Sequence, residues 1–137
     1  MTTAIDTNVV FALWDEDEAL SGAAQIALEA AFRRGNLVVA APVFSELIAA
    51  PGRTENYVSE FLEETGIAVD WDLGEPVWRS AGRAFQSYAE RRRKQRDFGT
   101  RRILADFLIG AHALARGYHL LTSSLWTNDF TERRSRI

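Results

Sequence analysis

The stretch ILADFLIGAHALARGYHLLT, residues 103–122, decides the fold. Its helical part, Ile103–Arg116, is apolar almost all round and is interrupted by Asp106 and His112, so it predicts a helix with no face for solvent. Gly117 caps it, and His119–Thr122 reads as a buried strand. A helix of this kind running straight into an apolar strand belongs inside a layered α/β domain.

The remaining chain repeats the alternation. Thr3–Ile5 begins a strand that stops at Asp6, and the apolar run Val9–Trp14 leads into Asp15-Glu16-Asp17-Glu18. Asp15 is the expected N-cap of a helix with Leu20, Ala23, Ala24, Ala27, Leu28 and Ala31 at helical spacing, closed by Arg33-Arg34-Gly35. Leu37–Ala40 reads as a buried strand, and Pro42 opens a helix through Val43, Phe44, Leu47 and Ile48 that Pro51-Gly52 ends. Thr54–Glu64 predicts a helix and Ile67–Trp71 a strand. From Gly74-Glu75-Pro76 a long helix runs through Val77, Trp78, Ala81, Ala84, Phe85 and Tyr88 into a basic stretch, and Phe98-Gly99-Thr100 breaks it. Short strands alternating with helices imply a mostly parallel sheet covered on both faces.

A chain of 137 residues with 47% hydrophobic content suffices for one domain, 1–137, burying roughly two thirds of its unfolded surface. No cysteine is present, which excludes disulfide scaffolds, thiolate metal sites and Cys nucleophiles. The two histidines disfavour a His-rich metal site. The beginning, MTTAIDTNVV, lacks the pattern of a secretory signal, and no apolar run reaches the length of a membrane span. A soluble, cytoplasmic protein is therefore expected. The net charge of −3 hides an asymmetry: residues 1–75 hold 14 acidic and 3 basic side chains, residues 76–137 hold 5 acidic and 13 basic. Opposite signs in the two halves suit a protein that binds a polyanion and a cation together.

Three carboxylates sit in apolar sequence. Asp6 ends the first strand, Glu46 lies among Val43, Phe44, Leu47 and Ile48, and Asp106 interrupts the last helix. In an open parallel sheet the strand C-termini and the starts of the following helices share one edge, so the three acids can meet in one cleft. Such a cluster calls for a cation, and oxygen-only ligands select Mg²⁺ or Mn²⁺, whose natural chemistry is phosphodiester hydrolysis by water. Each acid also has a plain reading: a turn cap for Asp6, a solvent-facing position for Glu46, an internally paired carboxylate for Asp106. His112 reads as a satisfied core or edge histidine.

The runs Ile5-Asp6-Thr7-Asn8-Val9, Val43-Phe44-Ser45-Glu46-Leu47, Ala105-Asp106-Phe107-Leu108-Ile109-Gly110-Ala111-His112-Ala113 and Leu120-Leu121-Thr122 together resemble the PIN-domain ribonucleases, specifically the VapC toxins of type II toxin–antitoxin systems. The resemblance spans residues 1–122. It implies a three-layer α/β/α sandwich, magnesium-dependent endoribonuclease activity, a homodimer, and neutralisation by a VapB-type antitoxin. Carried over by position, Asp6 and Asp106 are metal ligands, Glu46 supports the metal and its water, and Asn8 orients Asp6, these four being the catalytic set.

The chain departs from this pattern at its end. VapC toxins of this kind continue after Leu-Leu-Thr with one residue and then a fourth acid, whereas here that position is Ser124, and Asp129 lies five residues late. Residues 123–137 lack a hydrophobic period and predict no last strand. Read from the third base of the Trp126 codon, the Trp126-Thr127 codons necessarily encode Asp, so the tail is expected to be out of frame, and the chain to be catalytically impaired. The shifted Asp itself falls about two residues late, so a simple one-base slip is not the whole event. Arg91, Arg92, Arg93, Lys94, Arg96, Arg101 and Arg102 concentrate positive charge against Asp97. They read as a solvated helix end or as a phosphate-tracking rim, with Arg91, Arg92, Arg93, Arg101, Arg102 and Thr122 as substrate-binding candidates. Phe11, Leu13 and Trp14 are candidates for packing in the core, at a dimer face, on a base, or against an apolar antitoxin helix, one of whose arginines would reach the acids. A catalytically impaired binding module and a metal-dependent phosphatase are the competing function classes.

Overall fold

The computed structural model of the chain describes residues 1–95, 102–123 and 134–136. Four short strands, β1 (Thr2–Ile5), β2 (Asn36–Ala40), β3 (Ile67–Asp70) and β4 (His119–Thr122), are all parallel, and a three-residue β5 (Arg134–Arg136) extends the sheet beside β4. The order across the sheet is β3-β2-β1-β4-β5. Helices α1 (Thr7–Leu13), α2 (Glu18–Arg34), α3 (Ala41–Ala49), α4 (Glu55–Thr65), α5 (Glu75–Gln95) and α6 (Leu104–Arg116) complete the expected three-layer α/β/α sandwich.

Strands covered on both faces need apolar side chains at consecutive positions, and Leu37–Ala40 of β2 and Leu120–Thr122 of β4 are buried without alternation. One apolar cluster joins the strands to α1, α3 and α4 through Ile5, Val9, Val39, Val43, Leu47, Val58 and Leu62. A second packs Leu73, Val77 and Ala81 against Phe107, Leu108 and Ala111, between α5 and α6. Helix α6 serves both clusters, since Ile109 and Ala113 belong to the first. That double duty is why residues 107–113 are all buried and the helix carries no polar stripe.

Two expectations need correction. Asp17, not Asp15, caps α2: its Oδ1 accepts the N–H groups of Ala19 at 2.9 Å and Leu20 at 3.3 Å, while Asp15 Oδ1 holds the Asp17 N–H at 2.8 Å. The upstream acid builds a turn of its own and moves the helix start to Glu18. The tail does contain a strand, with Leu120↔Arg134, Leu121↔Ser135 and Thr122↔Arg136 in register. Backbone pairing at an open sheet edge does not require a hydrophobic period. The break expected at Phe98-Gly99-Thr100 lies outside the described residues.

Strand order positions the site. The chain leaves β1 for β2 on one side, yet β4 docks on the other, so the switch point of the sheet falls between β1 and β4, where ligands bind in open α/β sheets. There the Asp6 N–H donates to the Leu121 carbonyl at 2.9 Å.

Candidate active site

Asp6 is the residue between β1 and α1, and its side chain does not cap the helix it precedes. It is only 5% exposed. The Thr122 hydroxyl donates to Asp6 Oδ2 at 3.0 Å and accepts from Asn8 Nδ2 at 3.2 Å, and the Ser123 N–H donates to Asn8 Oδ1 at 3.0 Å. Because the Asn8 oxygen is taken by a backbone amide, its NH₂ faces Thr122, and the single hydroxyl proton of Thr122 goes to Asp6. Asn8 thus orients Asp6 through Thr122 and not by direct contact. Thr122 itself, expected among the substrate-binding residues, is fully buried, and its hydroxyl serves Asp6.

Glu46 and Asp106 come from α3 and α6. The Thr7 hydroxyl, one residue after Asp6, donates to Glu46 Oε1 at 2.7 Å. Asp106 occupies the third position of α6, where its Oδ2 accepts the Ile103 N–H at 2.8 Å and its own N–H donates to the Ile103 carbonyl at 3.0 Å. That reciprocal pair locks the carboxylate to the helix start.

The three acids sense one another. Burial pushes the Asp6 carboxyl from 3.8 up to about 6, the Thr122 hydroxyl pulls it back, and the charges of Asp106 and Glu46 push it further up. Glu46 is raised by burial and by Asp106, against the Thr7 hydrogen bond. Asp106 is raised by burial, with the Ile103 amide and the Arg102 charge opposing. Among the described residues no three His, Asp or Glu side chains lie together as a ready ligand set. Mg²⁺ keeps several of its waters and is held by one or two carboxylates, so Asp6 with Asp106, whose charge it senses, suits such an ion, and a cation would relieve the repulsion that helps raise Asp6.

The basic residues divide. Arg91, Arg92 and Arg93 form the C-terminal turns of α5, and the Tyr88 hydroxyl accepts from Arg92 Nη1 at 3.3 Å and from the Arg102 N–H at 2.9 Å. Arg92 is thereby linked through Tyr88 to the chain just before α6, while Arg101, Ser124 and Asp129 lie outside the described residues. Trp14 packs inward, 5.1 Å from Phe61 and 5.7 Å from Tyr57 between ring centroids, with the Arg53 guanidinium 4.9 Å above it. Phe11 stays 39% exposed beside it. His112 is the expected core histidine, fully buried with Nε2 at 2.8 Å from Asp70 Oδ2, but its Nδ1 finds no partner among the described residues. Sequence reading missed Thr7 and Tyr88: a threonine after a turn aspartate looks like part of the turn, and a tyrosine at helical spacing looks like core.

Among curated proteins none matches the chain. Solved structures resemble it in fold. VapBC2 from Rickettsia felis, bound to a DNA fragment from their promoter, aligns at TM-score 0.61 and 15% identity over 91% of this chain and 89% of that one. VapBC-1 from nontypeable Haemophilus influenzae aligns at 0.59 and 20% over 88% and 85%, and FitAcB from Neisseria gonorrhoeae at 0.50 and 21% over 87% and 85%. The PIN domain family profile matches residues 3–124, a span that contains Asp6, Glu46, Asp106 and every strand of the sheet but the last; the chain belongs to the PIN domain family.

Proposed function

We propose that the chain is a VapC-type toxin, a magnesium-dependent endoribonuclease neutralised by a VapB-type antitoxin in the cytoplasm. The observation that carries this reading is the electrostatic coupling of Asp6, after β1, to Glu46 on α3 and Asp106 on α6: all three carboxyls are raised by burial, and those of Asp6 and Glu46 also by neighbouring acids. Asp6 and Asp106 would hold a Mg²⁺ ion, with Mn²⁺ as the alternative, which when bound would supply positive charge to the phosphodiester and lower the pKa of a water. Asn8 and Thr122 keep Asp6 in its ligating orientation. Glu46, with one oxygen held by Thr7, orients the attacking water and takes its proton. Arg91, Arg92, Arg93, Arg101 and Arg102 track the RNA phosphates. RNA is preferred to DNA on the family resemblance alone.

The antitoxin reading is supported by an apolar pocket of about 380 Å³ lined by Leu13, Leu28, Phe32, Leu37 and Ile67. It lies at the starts of β2 and β3, the sheet edge opposite the acids. An amphipathic partner helix fills such a pocket, and an arginine from a further partner segment reaches the carboxylates. A homodimer completes the proposed assembly.

The test is cleavage of RNA by the purified chain with Mg²⁺ and with chelator, alongside Asp106→Asn. Loss of cleavage by at least about a hundredfold in the variant, with the thermal midpoint retained, is expected. A variant that cleaved as well as the parent would sink the assignment, and hydrolysis of small phosphate esters without RNA cleavage would favour a phosphatase. Ser124 in place of a fourth acid favours a second reading, a catalytically impaired module that keeps its antitoxin and dimer surfaces. In that case Ser124→Asp raises cleavage and Mg²⁺ affinity together, since affinity in an oxygen site follows ligand charge.

A further inference from the structure

Tyr88 is a residue that neither composition nor family resemblance singles out. It sits near the end of α5, its ring 5.4 Å from the Phe107 ring and stacked at 6.4 Å on Phe85. Its hydroxyl receives the backbone N–H of Arg102 at 2.9 Å, fourteen residues away, and the Arg92 guanidinium at 3.3 Å. Arg102 is followed by Ile103, whose N–H holds Asp106 Oδ2 at 2.8 Å. Phe107, in contact with the Tyr88 ring, is the next residue after Asp106. Tyr88 therefore grips the chain on both sides of that carboxylate, by its hydroxyl before it and by its ring behind it.

We infer that the Tyr88 hydroxyl is a clamp that fixes the entry of α6, so that Asp106 is presented to its cation in one orientation. Tyr88 is a positioning residue and touches neither metal nor substrate. The physical need is specific. A backbone N–H just ahead of a helix has no intrahelical partner, and that of Arg102 donates instead to Tyr88 near the end of α5. Without the hydroxyl, the Arg102 amide loses that acceptor, and the Ile103 amide that orients Asp106 loses its neighbouring anchor. The ring alone still fills the space between α5 and α6, so packing survives. The clamp rests on the geometry alone, and its consequence for the cation rests on the nuclease reading.

Tyr88→Phe separates the two. Amide hydrogen exchange of the metal-free protein reads the clamp: Arg102 and Ile103 should exchange about tenfold faster, while Ala111 and Ala113 deep in α6 and the thermal midpoint stay as in the parent. Mn²⁺ titration reads the consequence: the dissociation constant should rise roughly three- to tenfold, less than for the removal of a group hydrogen-bonded directly to a ligand. In an Asp106→Asn background the same substitution should weaken Mn²⁺ binding no further, the non-additivity of residues acting through one another. Unchanged exchange at Arg102 and Ile103 overturns the clamp. Faster exchange with unchanged Mn²⁺ affinity overturns its role at Asp106. A parent that binds no Mn²⁺ overturns the metal-dependent reading of the site, and the exchange data still decide the clamp.

Discussion

Asp6 shows the tension between fold and chemistry at the scale of one residue. Its carboxyl is held near 6 in the folded chain against 3.8 when solvated, so the folded state binds that proton more tightly than the unfolded one. The corresponding stability is fully present below the unfolded value and is lost as pH rises through about 6. The gap of about two pH units corresponds to about 3 kcal/mol at neutral pH. With chelator present, Asp6→Asn should therefore be more stable than the parent at pH 7.5, by as much as about 3 kcal/mol, a difference that shrinks to about 1 kcal/mol at pH 4.5. Urea denaturation at the two pH values measures this, and equal stability at pH 7.5 contradicts it. His112 acts in the opposite sense, since burial lowers its pKa and stability falls as pH drops below 6.5, but it contributes alike to both proteins. Asp6, Glu46 and Asp106 were legible in the sequence because charged residues within apolar runs demand an explanation. The route from Asn8 to Asp6 through Thr122 was not, because it joins positions 114 and 116 residues apart.

At the scale of elements, the helix and strand boundaries follow local chemistry wherever that chemistry is self-contained. Gly66 and Gly117 end α4 and α6 in the left-handed conformation, and Thr54 caps α4 by accepting the Tyr57 N–H at 3.1 Å, as the sequence implies. Gly35 between α2 and β2 is under a stricter demand. Its φ is 154°, and a Cβ there would lie 1.7 Å from the Met1 carbonyl oxygen, which accepts the Asn36 N–H at 3.0 Å. Gly35→Ala must shift either β1 or β2, and a loss of at least about 2 kcal/mol is expected. Gly82, exposed within α5 with open space around it, is the contrast: Gly82→Ala should stabilise by about 0.5–1 kcal/mol through helix propensity. Chemical denaturation midpoints of the two variants test both signs.

For the whole molecule, charge is arranged along the sheet edge that carries the site. Asp6 stands at the C-terminus of β1, Glu46 in α3 and Asp106 at the start of α6, and the Arg102 charge reaches Asp106. RNA binding to this edge should weaken with salt, the logarithm of affinity falling by about 0.7 per phosphate contact for a single strand. Replacing Arg91, Arg92 and Arg93 by alanine should reduce that slope by about 2, with metal affinity retained. Fluorescence anisotropy with a labelled RNA from 50 to 300 mM salt, in chelator to prevent cleavage, reads the slope. An unchanged slope would remove these three arginines from the phosphate track.

The sequence by itself determined the elements, the layered α/β class and the three acids, because hydrophobic period, helix caps and out-of-place charges act over a few residues and leave a local trace. Tertiary structure decided the rest. Placing β4 beside β1 and not beside β3 is a long-range choice with no local signature. It is that choice which sets the switch point, brings Thr122 and Ser123 to Asp6 and Asn8, and sets α6 where the Asp106 charge reaches Asp6. The edge strand Arg134–Arg136 was hidden for the same reason: its backbone pairs with a partner already in place, and side-chain pattern records nothing of it.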